Sequence, residues 1–227
     1  MSAFFITGTD TDCGKTAVTT ALLKALSAYG SVAGYKPVAA GCEQSGNEWQ
    51  NDDALMLQKF SSPTPSYAAV NPYAFPAAIA PHIAAEQVGA SIDPAQILQG
   101  FQTLKQSYDH ILVEGAGGWR VPLTKNCAIS DLPQLLGVPV ILVVGLKLGC
   151  INHATLSAES ILSQGIKISG WIGNQIDPNM PVLKENVDTL QAVLGEQLGI
   201  PMIAEFEHQS QSPIVPKQLN LEALLTA

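Results

Sequence analysis

The nine residues Gly8-Thr9-Asp10-Thr11-Asp12-Cys13-Gly14-Lys15-Thr16 constrain this chain more than any other stretch. The apolar run Ala3-Phe4-Phe5-Ile6 precedes them, and Val18, Leu22, Ala25, Leu26 and Tyr29 follow at helical spacing before Gly30. A strand, a glycine-containing loop and an amphipathic helix in that order form the setting of a phosphate-binding loop. Small residues let the backbone curl so that successive N–H groups face an anion, and the helix start adds partial positive charge. Lys15 then reaches the β- and γ-phosphates, and the Thr16 hydroxyl meets a Mg²⁺ ion that bridges them. Gly8 lies one place earlier than the usual spacing, with Thr9 in the expected slot. A Gly-Lys-Thr triplet alone is common by chance, so the flanking strand and helix carry the argument against a plain strand-turn-helix.

The chain of 227 residues, 47% apolar and 13% charged, is long enough for one packed α/β domain and short for two. With a formal net charge of −8 it offers no general grip on nucleic acid or an anionic membrane, so a polyanionic ligand must be held locally. Cys13, Cys42, Cys127 and Cys150 form no C-x-x-C pair, and His82, His110, His153 and His208 are equally dispersed, which argues against a zinc site or a disulfide framework. The first strand starts almost at Met1, and the apolar run Val138 to Leu146 is far too short to span a bilayer. The expectation is a soluble cytoplasmic protein.

Strand and helix signals alternate along the chain. Strands are expected at 31–37, 110–114, 138–145, 166–174 and 200–205, and helices at 94–106, 131–136, 152–164, 182–194 and 219–225. Residues 41–51 have no periodicity and read as an exposed loop; Asp52-Asp53 read as the cap of a helix beginning at Ala54. Five prolines between Ser61 and Pro81 read as an excursion over one sheet edge. The pattern predicts one doubly wound, mainly parallel sheet with helices on both faces, of the kind found in phosphate-loop nucleotidases, over residues 1–227.

In such sheets ligands bind beyond the carboxyl ends of the strands. There the sequence places the phosphate loop, Lys36, Glu114 with Gly115-Ala116-Gly117-Gly118, Lys147 with Gly149 to His153, and Asn174. Each has a plainer reading: Lys36 as a solvated lysine, Asp53 as a cap, the glycine run as a turn, and Leu148 to Asn152 as an ordinary helix start. Glu114 ends a strongly apolar strand, where an acid is costly unless paired, and beside a phosphate loop this favours a Mg²⁺ role. Three lysines and two acids around one triphosphate point to an ATP-dependent ligase or kinase acting on a small anionic substrate.

Assembled, these stretches resemble the dethiobiotin synthetase family. The likeness is carried by Gly8-Thr9-Asp10-Thr11 with Gly14-Lys15-Thr16, Gly34-Tyr35-Lys36-Pro37-Val38-Ala39, Asn71-Pro72-Tyr73, Pro81-His82, Val113 to Trp119, Lys147 to Ala154, and Gly170-Trp171. The family's loop shares the early glycine. The resemblance implies a cyclo-ligase that forms the ureido ring of dethiobiotin from 7,8-diaminononanoate, CO₂ and MgATP, through a carbamate and a carbamic-phosphoric mixed anhydride. It implies Lys15 and Lys36 as the catalytic cations, and Thr16, Asp53 and Glu114 as Mg²⁺ ligands. Asp12, Cys13, Gly14, Lys15, Thr16 and Ala17, with Glu114, Gly115, Ala116 and Gly117, would surround the nucleotide phosphates, and Asn174 would contact adenine. Thr11, Lys36 and Lys147 would meet the substrate. The family is a homodimer, so Gly149, Cys150, Ile151 and Asn152 of a second subunit would bind the substrate carboxylate. On these grounds Lys36→Ala is expected to abolish ring closure and leave the fold intact.

Several positions depart from the family pattern. Ala40 replaces a serine that often contacts substrate, Asn186 stands where a tyrosine can reach the neighbouring subunit's substrate, and Gln175 replaces an aspartate. Glu205-Phe206-Glu207-His208 lacks the glycine and proline of the usual base-binding loop. A partitioning or septum-positioning ATPase is a rival, but it calls for an additional lysine among Thr9 to Asp12, where none occurs, and for a basic amphipathic C-terminal helix. Amidotransferase-linked cobyrinate synthetases call for a longer chain, and a catalytically silent homologue has only Ala40 and Asn186 in its favour.

Overall fold

The computed structural model describes residues 2–209 and 214–225. The elements run β1 (Ser2–Gly8), α1 (Lys15–Leu26), β2 (Val32–Tyr35), β3 (Val38–Ala40), β4 (Glu43–Ser45), β5 (Glu48–Gln50), α2 (Asp52–Phe60), α3 (Tyr67–Val70), β6 (Tyr73–Phe75), α4 (Pro81–Gln87) and α5 (Pro94–Lys105). They continue with β7 (His110–Glu114), a 3₁₀ turn at Ile129–Asp131, α6 (Leu132–Leu136), β8 (Val140–Leu146), α7 (Cys150–Ser163), β9 (Ile168–Gln175), α8 (Leu183–Leu190) running into a π-helical segment (Gln191–Gln197), β10 (Met202–Phe206), β11 (Gln218–Leu219) and α9 (Glu222–Leu225).

Seven strands form one sheet in the order β11-β10-β9-β8-β1-β7-β2, parallel except for β11. Every residue of β8 is buried, which is why its sequence is continuously apolar rather than alternating. Period-two geometry divides the strands between two cores. Phe5, Ile111, Val113, Leu142 and Val144 pack under α4 to α8, while Phe4, Ile6, Leu112, Ile141 and Val143 pack under α1 and α2. After β1 the chain goes to the edge at β2, returns through β7, and then crosses to β8 on the other side of β1. The carboxyl end of β1 is therefore the switch point, where the crevice of an open parallel sheet lies.

Four expectations need correction. Residues 41–51 are exposed but not irregular: β4 and β5 pair as an antiparallel hairpin around Gly46-Asn47, with Gly46 at φ 62°. The cap of α2 is Asn51, whose Oδ1 accepts from the Ala54 N–H at 3.3 Å, so Asp52 and Asp53 lie inside the first turn. Helix α7 begins at Cys150, two residues before its expected start. Of the expected C-terminal helix, Leu219 belongs to β11, because the edge of β10 captures the chain through Lys217 N–H to Glu205 O (2.8 Å) and Asn220 N–H to Ile203 O (2.8 Å). The helix itself forms only over Glu222–Leu225, as α9.

Candidate active site

The loop between β1 and α1 turns on Asp12 (φ 56°) and Gly14 (φ 87°). A Cβ at Gly14 would lie 2.0 Å from Nδ2 of Asn174, so space and backbone conformation both require glycine. From the end of β9, the Asn174 amide donates to the Cys13 carbonyl at 3.0 Å and braces the loop. Cys13 is wholly buried, and its sulfur occupies the space where a Cβ on Gly8 would stand, 2.2 Å away. The early glycine is thus the seat of the Cys13 thiol, while the Thr9 hydroxyl accepts from the Gly145 N–H at 3.3 Å. Lys15 Nζ reaches across the loop to the Asp10 carbonyl at 2.9 Å. Lys147 forms an ion pair with Asp10 at 3.0 Å, which holds the Asp10 carboxyl below the usual range against the opposing effect of burial.

Beside the loop lies a charge cluster in which Lys36 and Glu114 are buried and Asp53 is half-exposed. Lys36 Nζ, 4% exposed, sits 2.8 Å from Glu114 Oε1 and 3.1 Å from Asp53 Oδ2. Thr16 donates to the same Glu114 oxygen at 2.8 Å. Burial alone would lower the Lys36 pKa, but the carboxylates of Glu114 and Asp53 hold it well above the ordinary lysine value, so the ammonium is charged at neutral pH. Burial pushes the Asp53 carboxyl upward; the Lys36 charge more than offsets it and holds Asp53 below the usual carboxylate value. Glu114 is fully buried and its Oε2 has no hydrogen-bond partner, a condition a folded protein rarely tolerates without a ligand or cation. Two carboxylates and a hydroxyl beside a phosphate loop are hard oxygen donors of the kind Mg²⁺ takes, with the remaining positions left to water and phosphate. The residues present fit that ion.

A cavity of about 720 Å³ joins the loop to this cluster. Of the residues picked out in the sequence, Thr11, Asp12, Gly14, Lys15, Thr16, Ala17, Lys36, Asp53, Ala116 and Gly117 line it. Cys13, Glu114, Gly115 and Asn174 do not line it: Cys13 and Glu114 are wholly buried, and Glu114 and Asn174 act through the hydrogen bonds just given. Gly149 and Asn152 are exposed around the α7 start, Ile151 is half-buried against the core and Cys150 is buried; none of the four lines the cavity of its own chain. Lys147 stays on the Asp10 side of the loop. Ala40 lines the cavity without a side-chain donor, Asn186 Nδ2 donates to Val182 O of its own helix at 2.9 Å, and Gln175 Oε1 accepts from the His208 N–H at 3.2 Å. Sequence reasoning missed Asn51, Val121 and the wall Ala78 to Ala80. The Asn51 cap was detectable from the cap preference of asparagine before an acidic first turn.

A family profile described as an AAA domain matches residues 2–213. The ATP-dependent dethiobiotin synthetase BioD of Xanthomonas oryzae pv. oryzae (strain PXO99A) is 49% identical over 200 residues, 88% of either chain. The BioD of Xylella fastidiosa (strain 9a5c) is 46% identical over 209 residues, 92% of this chain and 91% of its own. The chain belongs to the ATP-dependent dethiobiotin synthetase family. Among solved structures, a ParA family ATPase from Chlorobium tepidum TLS shares the fold with TM-score 0.57 at 15% identity, covering 99% of this chain and 89% of its own. The septum site-determining protein MinD complexed with Mg-ADP from Pyrococcus horikoshii OT3 aligns with TM-score 0.52 at 17% identity over 91% of this chain and 82% of its own. These likenesses concern the phosphate-loop fold alone. Among the described residues, no helix is long and apolar enough to cross a membrane.

Proposed function

We propose that this chain, residues 1–227 working as one domain, forms dethiobiotin from 7,8-diaminononanoate, CO₂ and MgATP with release of ADP and phosphate, as a homodimer in the cytoplasm. The observation that carries the reading is the meeting of a phosphate loop and the buried Lys36 on one cavity, in a chain 49% identical to ATP-dependent dethiobiotin synthetases. One substrate amine takes up CO₂ as a carbamate, losing a proton. A carbamate oxygen then attacks the γ-phosphorus, and ADP leaves. The second amine attacks the carbonyl carbon of the mixed anhydride, the C–O bond to phosphate breaks, and the ring closes.

The protein's part is electrostatic and geometric rather than covalent. Lys36, fixed by its two acids, holds the carbamate and faces the transferring phosphoryl group. Lys15 and the loop amides hold the β- and γ-phosphates. Thr16, Asp53 and Glu114 would hold Mg²⁺, which would supply charge neutralisation on the phosphate oxygens. Gly149 to Asn152 of the second subunit take the substrate carboxylate at a helix start. Support for that last assignment is the surface position of the α7 start next to Leu148, 88% exposed.

The test is mass spectrometry of the protein incubated with diaminononanoate, bicarbonate, Mg²⁺ and ATP, with ADP release followed in parallel. Dethiobiotin formed mole for mole with ADP is the expected result. ATP turnover without dethiobiotin would overturn the reading in favour of an ATPase switch.

A further inference from the structure

Lys36 is held at its backbone as well as at its ammonium. Its N–H donates to the Val70 carbonyl at 2.8 Å, and its carbonyl accepts from Asn71 Nδ2 at 2.7 Å; the same amide also donates to the Tyr73 carbonyl at 3.1 Å. Asn71 Oδ1 accepts from the Tyr67 hydroxyl at 2.8 Å, and that hydroxyl accepts from the Asn51 N–H at 2.8 Å. Asn51 caps α2, and two residues later Asp53 returns to Lys36 Nζ at 3.1 Å. A circuit therefore runs from the Lys36 ammonium through Asp53, Asn51, Tyr67 and Asn71 to the Lys36 carbonyl.

Donor logic fixes its sense. A tyrosine hydroxyl has one proton; because it accepts from a backbone N–H, its proton goes to Asn71, which must present oxygen there and its NH₂ to the two carbonyls. Asn71 is 3% exposed and Asn51 9%, so water does not readily substitute for a lost link. Tyr67 joins α3 to the start of α2, and it does not line the cavity.

We propose that Tyr67 is a positioning residue: through Asn71 and Asn51 its hydroxyl fixes Lys36 and Asp53 relative to each other, and so sets the metal and phosphoryl-transfer geometry. This deepens the ring-closing reading and rests on it for what Lys36 and Asp53 do.

The test compares Tyr67→Phe with Tyr108→Phe in the full chain. Tyr108 is the control, since its hydroxyl also donates one hydrogen bond, here to the Pro63 carbonyl at 2.7 Å, and it does not line the cavity. Two quantities are read: kcat and KM for diaminononanoate, and the gain in ATP affinity on adding Mg²⁺, by calorimetry. For Tyr67→Phe, kcat is expected to fall about tenfold with KM within about twofold. Its Mg²⁺-dependent gain should shrink several-fold, with ATP affinity in the absence of Mg²⁺ unchanged, which also reports a folded site. Asn71→Ser, breaking the circuit from its other end, should show the same split, and Tyr108→Phe should show neither change. A wild-type Mg²⁺ gain in folded Tyr67→Phe, or an equal loss in Tyr108→Phe, would overturn the proposal. If the unaltered protein makes no dethiobiotin, the ring-closing reading fails, while the Mg²⁺ gain still decides the role of Tyr67.

Discussion

Lys36 shows how a residue's surroundings change what its removal does. As a solvated strand-end lysine it could be cut to alanine without harm to the fold. In the structure it is 4% exposed between Glu114 and Asp53, and its loss leaves Glu114, wholly buried, with only the Thr16 hydroxyl. Breaking a buried pair from one side costs about 3–5 kcal/mol, whereas replacing both partners by neutral groups of similar shape is close to neutral. Lys36→Ala is therefore expected to abolish turnover and to lower the melting temperature as well, which revises the sequence-based expectation of an intact fold. Lys36→Met with Glu114→Gln should recover most of the melting temperature and none of the turnover. Calorimetric melts and ADP release on the same samples check both halves; a double variant that melts as low as Lys36→Ala would show that the pair's charge is not what stabilises the site.

At the scale of elements, the site depends on how closely α2 approaches β2, since one carries Asp53 and the other ends at Lys36. Gly34 sets that distance: a Cβ there would lie 2.7 Å from Leu57 Cβ and 3.2 Å from Leu23 Cδ1. The Gly34 N–H also donates to Ser61 Oγ at 2.9 Å, pinning the far end of α2. Gly34→Ala should push α2 outward, destabilise by about 1–3 kcal/mol, and raise the Mg²⁺ concentration for half-maximal turnover because Asp53 moves with the helix. Denaturant melts and a Mg²⁺ titration check this; a destabilised variant with an unchanged Mg²⁺ requirement would separate the helix position from the metal site. The elements best read from sequence are those whose signal is local. β7 was placed residue for residue, and β8 was recognised as a continuous buried run. The hairpin of β4 and β5 was missed because its strands are exposed and polar, with no buried face to impose alternation. β11 was missed because pairing with β10, rather than its own two residues, makes it a strand. The same limit hid the Asn51-Tyr67-Asn71 circuit, whose members only tertiary folding brings together.

For the whole molecule, the phosphate loop, Lys36 and the acids meet within one chain, while Gly149 to Asn152 do not line that chain's cavity. If they serve a substrate carboxylate, they serve the cavity of another copy. The surface beside them is suited to burial: Leu148, just ahead of α7, is 88% exposed, and Leu156, within it, is 57% exposed. Introducing aspartate at both positions, Leu148→Asp with Leu156→Asp, should turn a dimer into a monomer, because two buried, unpaired carboxylates at an interface outweigh the apolar contact they replace. ATP affinity should then persist, since every phosphate-facing residue comes from the same chain. KM for diaminononanoate should rise by at least about tenfold, the consequence of losing a charge-assisted anion site. Sedimentation equilibrium and initial-rate kinetics test the two halves together. A variant that remains dimeric would move the interface off α7, and a monomer with unchanged KM would return the carboxylate site to the chain's own cavity.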